Sequence, residues 1–157
     1  MALIIDKIKE LAEAGLGFHE VCEEITEYSK TTGLLFILES MKNLANNGRV
    51  SPLVAKVAGV LGIRVIGKAS DKGDLQQLSK VRGQDKALQT TVAHLEELGL
   101  KSGKVKIAHC ENETAAKKLQ ALIEDNWKGV QTEVYPCRGL CSFYAEKGGL
   151  LIGFEKN

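Results

Sequence analysis

Leu3, Ile4, Ile8, Leu11 and Ala12 recur at helical spacing, and Gly15 ends the run. Phe18, Val21, Cys22 and Ile25 open a second amphipathic helix that reaches about Lys30. The character then changes. Leu34 to Glu39 is almost wholly apolar, which predicts a strand buried on both faces. Ser40 can cap a short helix ending at Asn46-Asn47-Gly48. Ser51-Pro52 is a strong helix start, and that helix runs to about Leu61 with Lys56 as its only charge. Ile63 to Ser70 and Leu75 to Arg82 read as a hairpin around Asp71 to Asp74. Ala87, Leu88, Thr91, Val92, Leu95 and Leu98 mark a long helix closed by Gly99. Lys104 to Cys110 alternates as a strand, and Ala115 to Ile123 is helical after Asn112. Val130 to Cys137 and Leu150 to Glu155 are the last strands, joined by a polar turn from Arg138 to Gly149. Six strands, one pair of them a hairpin, exclude a purely parallel sheet. The predicted class is α/β (α+β), with a mixed six-stranded sheet covered by helices.

At 157 residues the chain is long enough for one domain with a sizeable core. Its 21 basic and 20 acidic residues leave a formal net charge of +1, so no global field favours nucleic acid. Anion binding must therefore come from local patches. Cys22, Cys110, Cys137 and Cys141 are too sparse and uneven for a disulfide scaffold. No apolar run approaches the roughly 20 residues that span a bilayer, and no leader peptide is evident at Met1. These features predict a cytoplasmic protein with reduced thiols. Two helices precede the first strand and begin almost at once. That order predicts a chain entered partway through a larger protein.

Three corners invite an anion. In Gly48-Arg49-Val50-Ser51, Ser51 caps a helix whose first amides carry partial positive charge, with Arg49 beside them. The same residues also describe an ordinary capped helix and a solvated arginine. Lys80 to Lys86 ends a strand and opens a helix, with Arg82 and Lys86 adding fixed charge. Ser142 and Tyr144, just before Gly148-Gly149, can donate hydroxyl hydrogen bonds to a ligand oxygen. Leu53, Val54, Val57, Ala58 and Leu61 leave the Pro52 to Leu61 helix without a polar face. Such a helix is either core or the wall of an apolar pocket. His109 alternates with Val105 and Ile107, which reads as a hydrogen-bonded core histidine. Cys137 and Cys141 have no second ligand pair nearby, so no metal site is expected.

Four segments in this order carry a family resemblance: Leu34 to Leu44, Gly48-Arg-Val-Ser51, Lys80-Val-Arg-Gly83 and Leu150-Leu-Ile-Gly-Phe154. Together they resemble the DegV family, bacterial fatty-acid-binding proteins that include the FakB-type subunits of fatty acid kinase. Family members are about twice this length and enclose one fatty acid between two α/β domains. The resemblance implies residues 1–32 as a helical lead-in from the end of a preceding domain, and residues 33–157 as a DegV-like C-terminal lipid-binding domain. The family's N-terminal serine and threonine, which hold the carboxylate, have no counterpart in this chain. The acyl tail is then expected against Leu53, Val54, Val57, Ala58 and Leu61. The head group, or the surface that meets a partner, is expected at Arg49, Ser51, Arg82, Ser142 and Tyr144. Many members place a histidine where Tyr144 stands, and Tyr144 carries no positive charge at neutral pH.

The implied function is burial of a long-chain fatty acid and presentation of its carboxyl head to a separate kinase subunit. The ligand is the fatty acid itself, with no cofactor and no catalytic residue. Two alternatives differ in class. One is an enzyme acting on an acidic small molecule, with His109, Glu146 or Tyr144 as its base. The other is a domain fragment that binds nothing alone and self-associates through an uncovered apolar face.

Overall fold

A computed structural model of the chain describes residues 1–50, 62–70 and 75–157. The predicted Pro52 to Leu61 helix, Ser51 and the Asp71 to Asp74 turn lie outside the described residues. The described elements are α1 (Ala2–Glu13), α2 (Phe18–Lys30), β1 (Thr32–Leu38), α3 (Lys42–Asn46), β2 (Ile63–Ala69) and β3 (Leu75–Arg82). They continue as α4 (Gln84–Glu97), β4 (Gly103–His109), α5 (Glu113–Asn126), β5 (Val130–Pro136), α6 (Gly139–Ala145) and β6 (Leu150–Glu155). The apolar periodicities locate these elements to within a few residues. The exception is α6, read from sequence as a turn. Cys141, Ser142, Phe143 and Tyr144 are weak helix formers, and Gly139 enters with φ +53°. The segment is helical because Ala145 and Tyr144 pack into the core.

The six strands form one sheet in the order β3-β2-β1-β6-β4-β5. The β4/β5 pair is parallel and the other pairs are antiparallel. The predicted mixed sheet is therefore present. Alternation assigns each face. Leu35, Ile37, Ile66, Val105, Ile107, Ile152 and Phe154 point to the face covered by α4 and α5. Phe36, Leu38 and Val65 point the other way, where Met41, Leu44 and Ala145 join them. Asn112 precedes α5 as expected, but its side chain bonds outward: Nδ2 donates to the Gly148 carbonyl at 2.8 Å.

Two cross-strand pairs couple a glycine to an aromatic ring. Gly33 faces Phe154 across β1 and β6, and Gly67 faces Phe36 across β2 and β1. A Cβ on Gly33 would lie 2.4 Å from Phe154 Cζ, and one on Gly67 would lie 2.3 Å from Phe36 Cζ. Each ring therefore lies over bare backbone and fills the space that a side chain would take.

Strand direction gathers four strand ends on one edge. β1, β3, β4 and β5 run one way, and β2 and β6 run the other. The carboxyl ends of β1, β3, β4 and β5 share one edge, where α3, α4, α5 and α6 begin. In open α/β sheets this edge is the usual place for ligands.

Candidate functional site

The sheet face opposite α4 and α5 is only partly covered. Leu34, Ala108, Leu151 and Gly153 form the floor of a cleft of about 680 Å³, with Leu3 and Ile4 of α1 on one side. That volume falls within the roughly 300–1,000 Å³ of small-molecule pockets. The cleft is open because its floor is low: Ala108 and Gly153 have almost no side chain to fill it. Leu34 stays 39 % exposed although β1 is paired on both edges. The expected strand buried on both faces is thus fully sealed only from Leu35 to Leu38. Cys137 and Cys141 form the wall at the carboxyl edge, and Thr32 and Lys156 stand at the other end.

α1 is clasped to the sheet beside this cleft. Leu3 and Leu11 are buried, and Leu3 Cδ1 would lie 3.7 Å from a Cβ on Gly153. Asp6 and Glu10, one helical turn apart, meet Lys106 and Lys104, which alternate onto the same face of β4. Lys106 Nζ lies 2.6 Å from Asp6 Oδ2 and also pairs with Glu133. Lys104 pairs with Glu10. Tyr28 on α2 donates to Glu155 Oε1 at 2.5 Å, and the Lys104 amide donates to Glu155 Oε2 at 2.7 Å. Burial opposes the Lys106 charge, but its hydrogen bonds to Asp6 and Glu133 outweigh that and raise its pKa. The hydrogen bond from Lys104 holds the Glu10 carboxyl below its ordinary value of 4.5. The same bond holds Lys104 above its ordinary 10.5.

These shifts predict a pH window for α1. A carboxyl with a depressed folded pKa stabilises above 4.5, and this is lost as pH falls through the folded value. A lysine with a raised folded pKa stabilises below 10.5, and this is lost as pH rises through the folded value. Docking of α1 is therefore expected to be level between about pH 5 and 10 and to weaken outside it. Glu10 is half exposed, so the loss at the acid limb stays within about 1 kcal/mol. Amide exchange of α1 across this range checks it, and Lys104→Met is expected to flatten the acid limb.

The residues expected at the head group lie along the carboxyl edge. Arg49 follows α3, is exposed, and donates its backbone N–H to the Leu44 carbonyl at 2.8 Å. Arg82 ends β3, opposite Ile63, and is also exposed. Ser142 and Tyr144 are half-buried on α6. Ser142 Oγ donates to the Gly139 carbonyl within the helix at 2.8 Å, and Tyr144 packs against the cluster that includes Phe36, Leu38 and Val65. The α3 and α6 segments are joined directly. Asn43 donates its backbone N–H to Glu146 Oε1 at 2.9 Å and its Nδ2 to the Phe143 carbonyl at 2.8 Å. Arg49, Arg82, Ser142 and Tyr144 are not among the described residues that line the cleft. Ser51 and the tail residues Leu53, Val54, Val57, Ala58 and Leu61 lie outside the described residues.

The groups considered for other chemistry have structural surroundings. Glu146 holds the start of α3. His109 is half-buried, and its Nδ1 accepts from the Asn112 amide at 3.4 Å. Burial raises the Cys137 thiol to about 11 and also raises Cys110, so neither is a ready thiolate. Among the described residues no cluster of His, Cys, Asp and Glu is placed to hold a metal.

Sequence reasoning missed the cleft floor. Leu34, Ala108, Leu151 and Gly153 come from three strands, and only sheet order brings them together. The signal available was that β1 and β6 are apolar on both faces, which means that something must cover the second face.

The fold and cleft define a mixed α/β domain with a partly open apolar sheet face. The DegV family model matches residues 1–157, and the chain belongs to the DegV family. It is 42% identical over 153 residues to a DegV domain-containing protein of Streptococcus pneumoniae, covering 98% of this chain and 54% of that protein. It is 43% identical over 155 residues to one from Streptococcus pyogenes, covering 99% and 55%. A DegV family protein from Eubacterium eligens, solved loaded with heptadecanoic acid, superimposes with a TM-score of 0.96 at 40% identity, covering 99% of this chain and 56% of that one. The Streptococcus pneumoniae fatty acid kinase B3 protein, solved loaded with linoleic acid, gives 0.95 at 41% identity, covering 99% and 55%. The chain thus spans about half the length of the curated relatives it matches. Among the described residues no helix is long and apolar enough to cross a membrane.

Proposed function

We propose that this chain binds a long-chain fatty acid in the cleft beside α1 and leaves the carboxyl head at the carboxyl edge of the sheet. One observation carries the reading: a cleft of about 680 Å³ whose floor is Leu34, Ala108, Leu151 and Gly153. Each methylene buried there is worth about 0.8 kcal/mol, so the tail dominates affinity. The lipid-loaded relatives support the same ligand class. The Pro52 to Leu61 segment adds tail contacts through Leu53, Val54, Val57, Ala58 and Leu61. Arg49, Ser51, Arg82, Ser142 and Tyr144 form the outer surface on which a separate kinase subunit meets the head group. The chain carries the acid and does not transform it. Residues 1–32 are the helical lead-in to a lipid-binding domain of residues 33–157, and the four free thiols suit a reducing cytoplasm.

The test is extraction of the purified chain followed by mass spectrometry, with uptake of added linoleic acid measured by titration. Bound long-chain acid, or saturable uptake of linoleic acid, is expected. A chain that carries no acid and takes none up overturns the reading.

A further inference from the structure

Cys110, Cys137 and Cys141 gather at the carboxyl edge beside the cleft. Cys110 follows β4 and Cys137 follows β5. The parallel register ends at His109 and Pro136, and the Cys137 N–H carries it one step further by donating to the His109 carbonyl at 2.7 Å. Cys110 and Cys137 are therefore lateral neighbours. Both pack against the cluster on the face opposite α4 and α5, two positions on from Ala108 and Tyr135, which line the cleft. The α6 helix returns to this pair: the Cys110 thiol lies 3.7 Å from the carbonyl of Ser142, the residue after Cys141. Cys137 and Cys141 share the cleft wall.

These two thiols are unlike. Cys141 is exposed, whereas Cys137 is half-buried against the core. Burial, and after it the nearness of Cys141 and Cys110, keeps Cys137 in the thiol form, and burial does the same for Cys110. Cys141 is thus the thiol that a dissolved oxidant meets first. The described lining around it holds Lys106, Arg138 and Lys156 and no aspartate or glutamate, a setting that favours an anionic sulfur.

We propose that Cys141 and Cys137 form an oxidation site in the cleft wall, at which a peroxide converts the two thiols into one disulfide. The Cys141 thiolate attacks a peroxide oxygen: an S–O bond forms, the O–O bond breaks, and the departing hydroxide takes up a proton as water. Cys137 then attacks the sulfur of the Cys141 sulfenic acid. The S–S bond forms, the S–O bond breaks, and the hydroxyl leaves with the Cys137 proton as a second water. The thiol pair is oxidised and the peroxide is reduced. A small dithiol reverses the step by exchange. The disulfide ties α6 to the end of β5 across Gly139, whose φ of +53° turns the chain there. Oxidation needs only the two thiols, so it is independent of what the cleft holds.

The test is treatment of the purified chain with hydrogen peroxide, then alkylation, trypsin digestion and mass spectrometry. Trypsin cuts after Lys128, Arg138 and Lys147, so Cys137 and Cys141 fall in separate peptides, 129–138 and 139–147. The treated chain is expected to yield these peptides joined, and dithiothreitol is expected to release them. Cys22 is exposed on α2, away from any second cysteine of its helix, and is expected to stay open to alkylation at a dose that closes the pair. Cys137→Ser is expected to leave Cys141 as a sulfenic acid that dimedone traps. Cys141→Ser, an exposed change of similar size that retains the fold, is expected to leave Cys137 open to alkylation. Joining of Cys110 in place of either partner overturns the pairing. Free Cys137 and Cys141 after Cys22 has been oxidised overturn the site.

Discussion

Leu34→Asp is expected to abolish fatty-acid retention while leaving the chain folded. Leu34 is a floor residue of the cleft and remains 39 % exposed, so a carboxylate there keeps its water in the unliganded protein. The cost in the free protein is the poor strand propensity of aspartate, on the order of 1 kcal/mol or less. The ligand changes this balance. A tail lying on residue 34 strips water from the new charge, and several kcal/mol are lost with no partner to offset it. The acid can avoid the charge only by withdrawing part of its tail, at about 0.8 kcal/mol per methylene left in water. Either route weakens binding by about a hundredfold or more, since each 1.4 kcal/mol is a factor of ten. Titration with linoleic acid measures the loss, and circular dichroism during a thermal melt confirms the fold. Leu34→Met, which keeps an apolar floor, is expected to bind nearly normally. Unimpaired binding by Leu34→Asp would place the acyl chain elsewhere.

The same residue shows how far the sequence was readable. Its apolar neighbours announced a strand with two apolar faces. What alternation cannot say is whether the second apolar face meets a helix, a ligand or another surface. That depends on strand order, and β6, from the far end of the chain, is what seats Leu151 and Gly153 beside Leu34. The turns at the carboxyl edge were more legible, because they are written locally. Arg82 ends a strand whose next residue opens a helix, and the glycines before β6 mark the tight return: Gly148 has φ +89°, and a Cβ there would lie 2.4 Å from Glu39 Oε1. The clasp on α1 was illegible for a third reason: Asp6 and Glu10 look like solvated helix charges until β4 sets Lys106 and Lys104 against them.

Phe154→Ala is expected to be among the most destabilising single changes in the described core. Phe154 is 1 % exposed. Its ring lies over the bare backbone of Gly33 and packs with the cluster under α4 and α5. Truncating a buried phenylalanine costs about 3–5 kcal/mol, because the lost transfer energy is joined by the cavity left behind. Total stabilities are only about 5–15 kcal/mol. For a chain of this size that lowers the melting temperature by roughly 6–20 °C. Gly33→Ala alone is also expected to destabilise, by about 1–3 kcal/mol, since its Cβ would meet Phe154 Cζ at 2.4 Å and force the ring aside. The two losses should not add. With the ring removed, a methyl at residue 33 enters empty space and recovers some of the buried area, and alanine loses less backbone entropy than glycine on folding. The double variant is therefore expected to be no less stable than Phe154→Ala, giving a coupling of about 1–3 kcal/mol between the two sites. Urea denaturation of the four proteins closes the cycle. Strict additivity would mean that the ring does not depend on the glycine beneath it, and that Gly33 is fixed by its backbone alone.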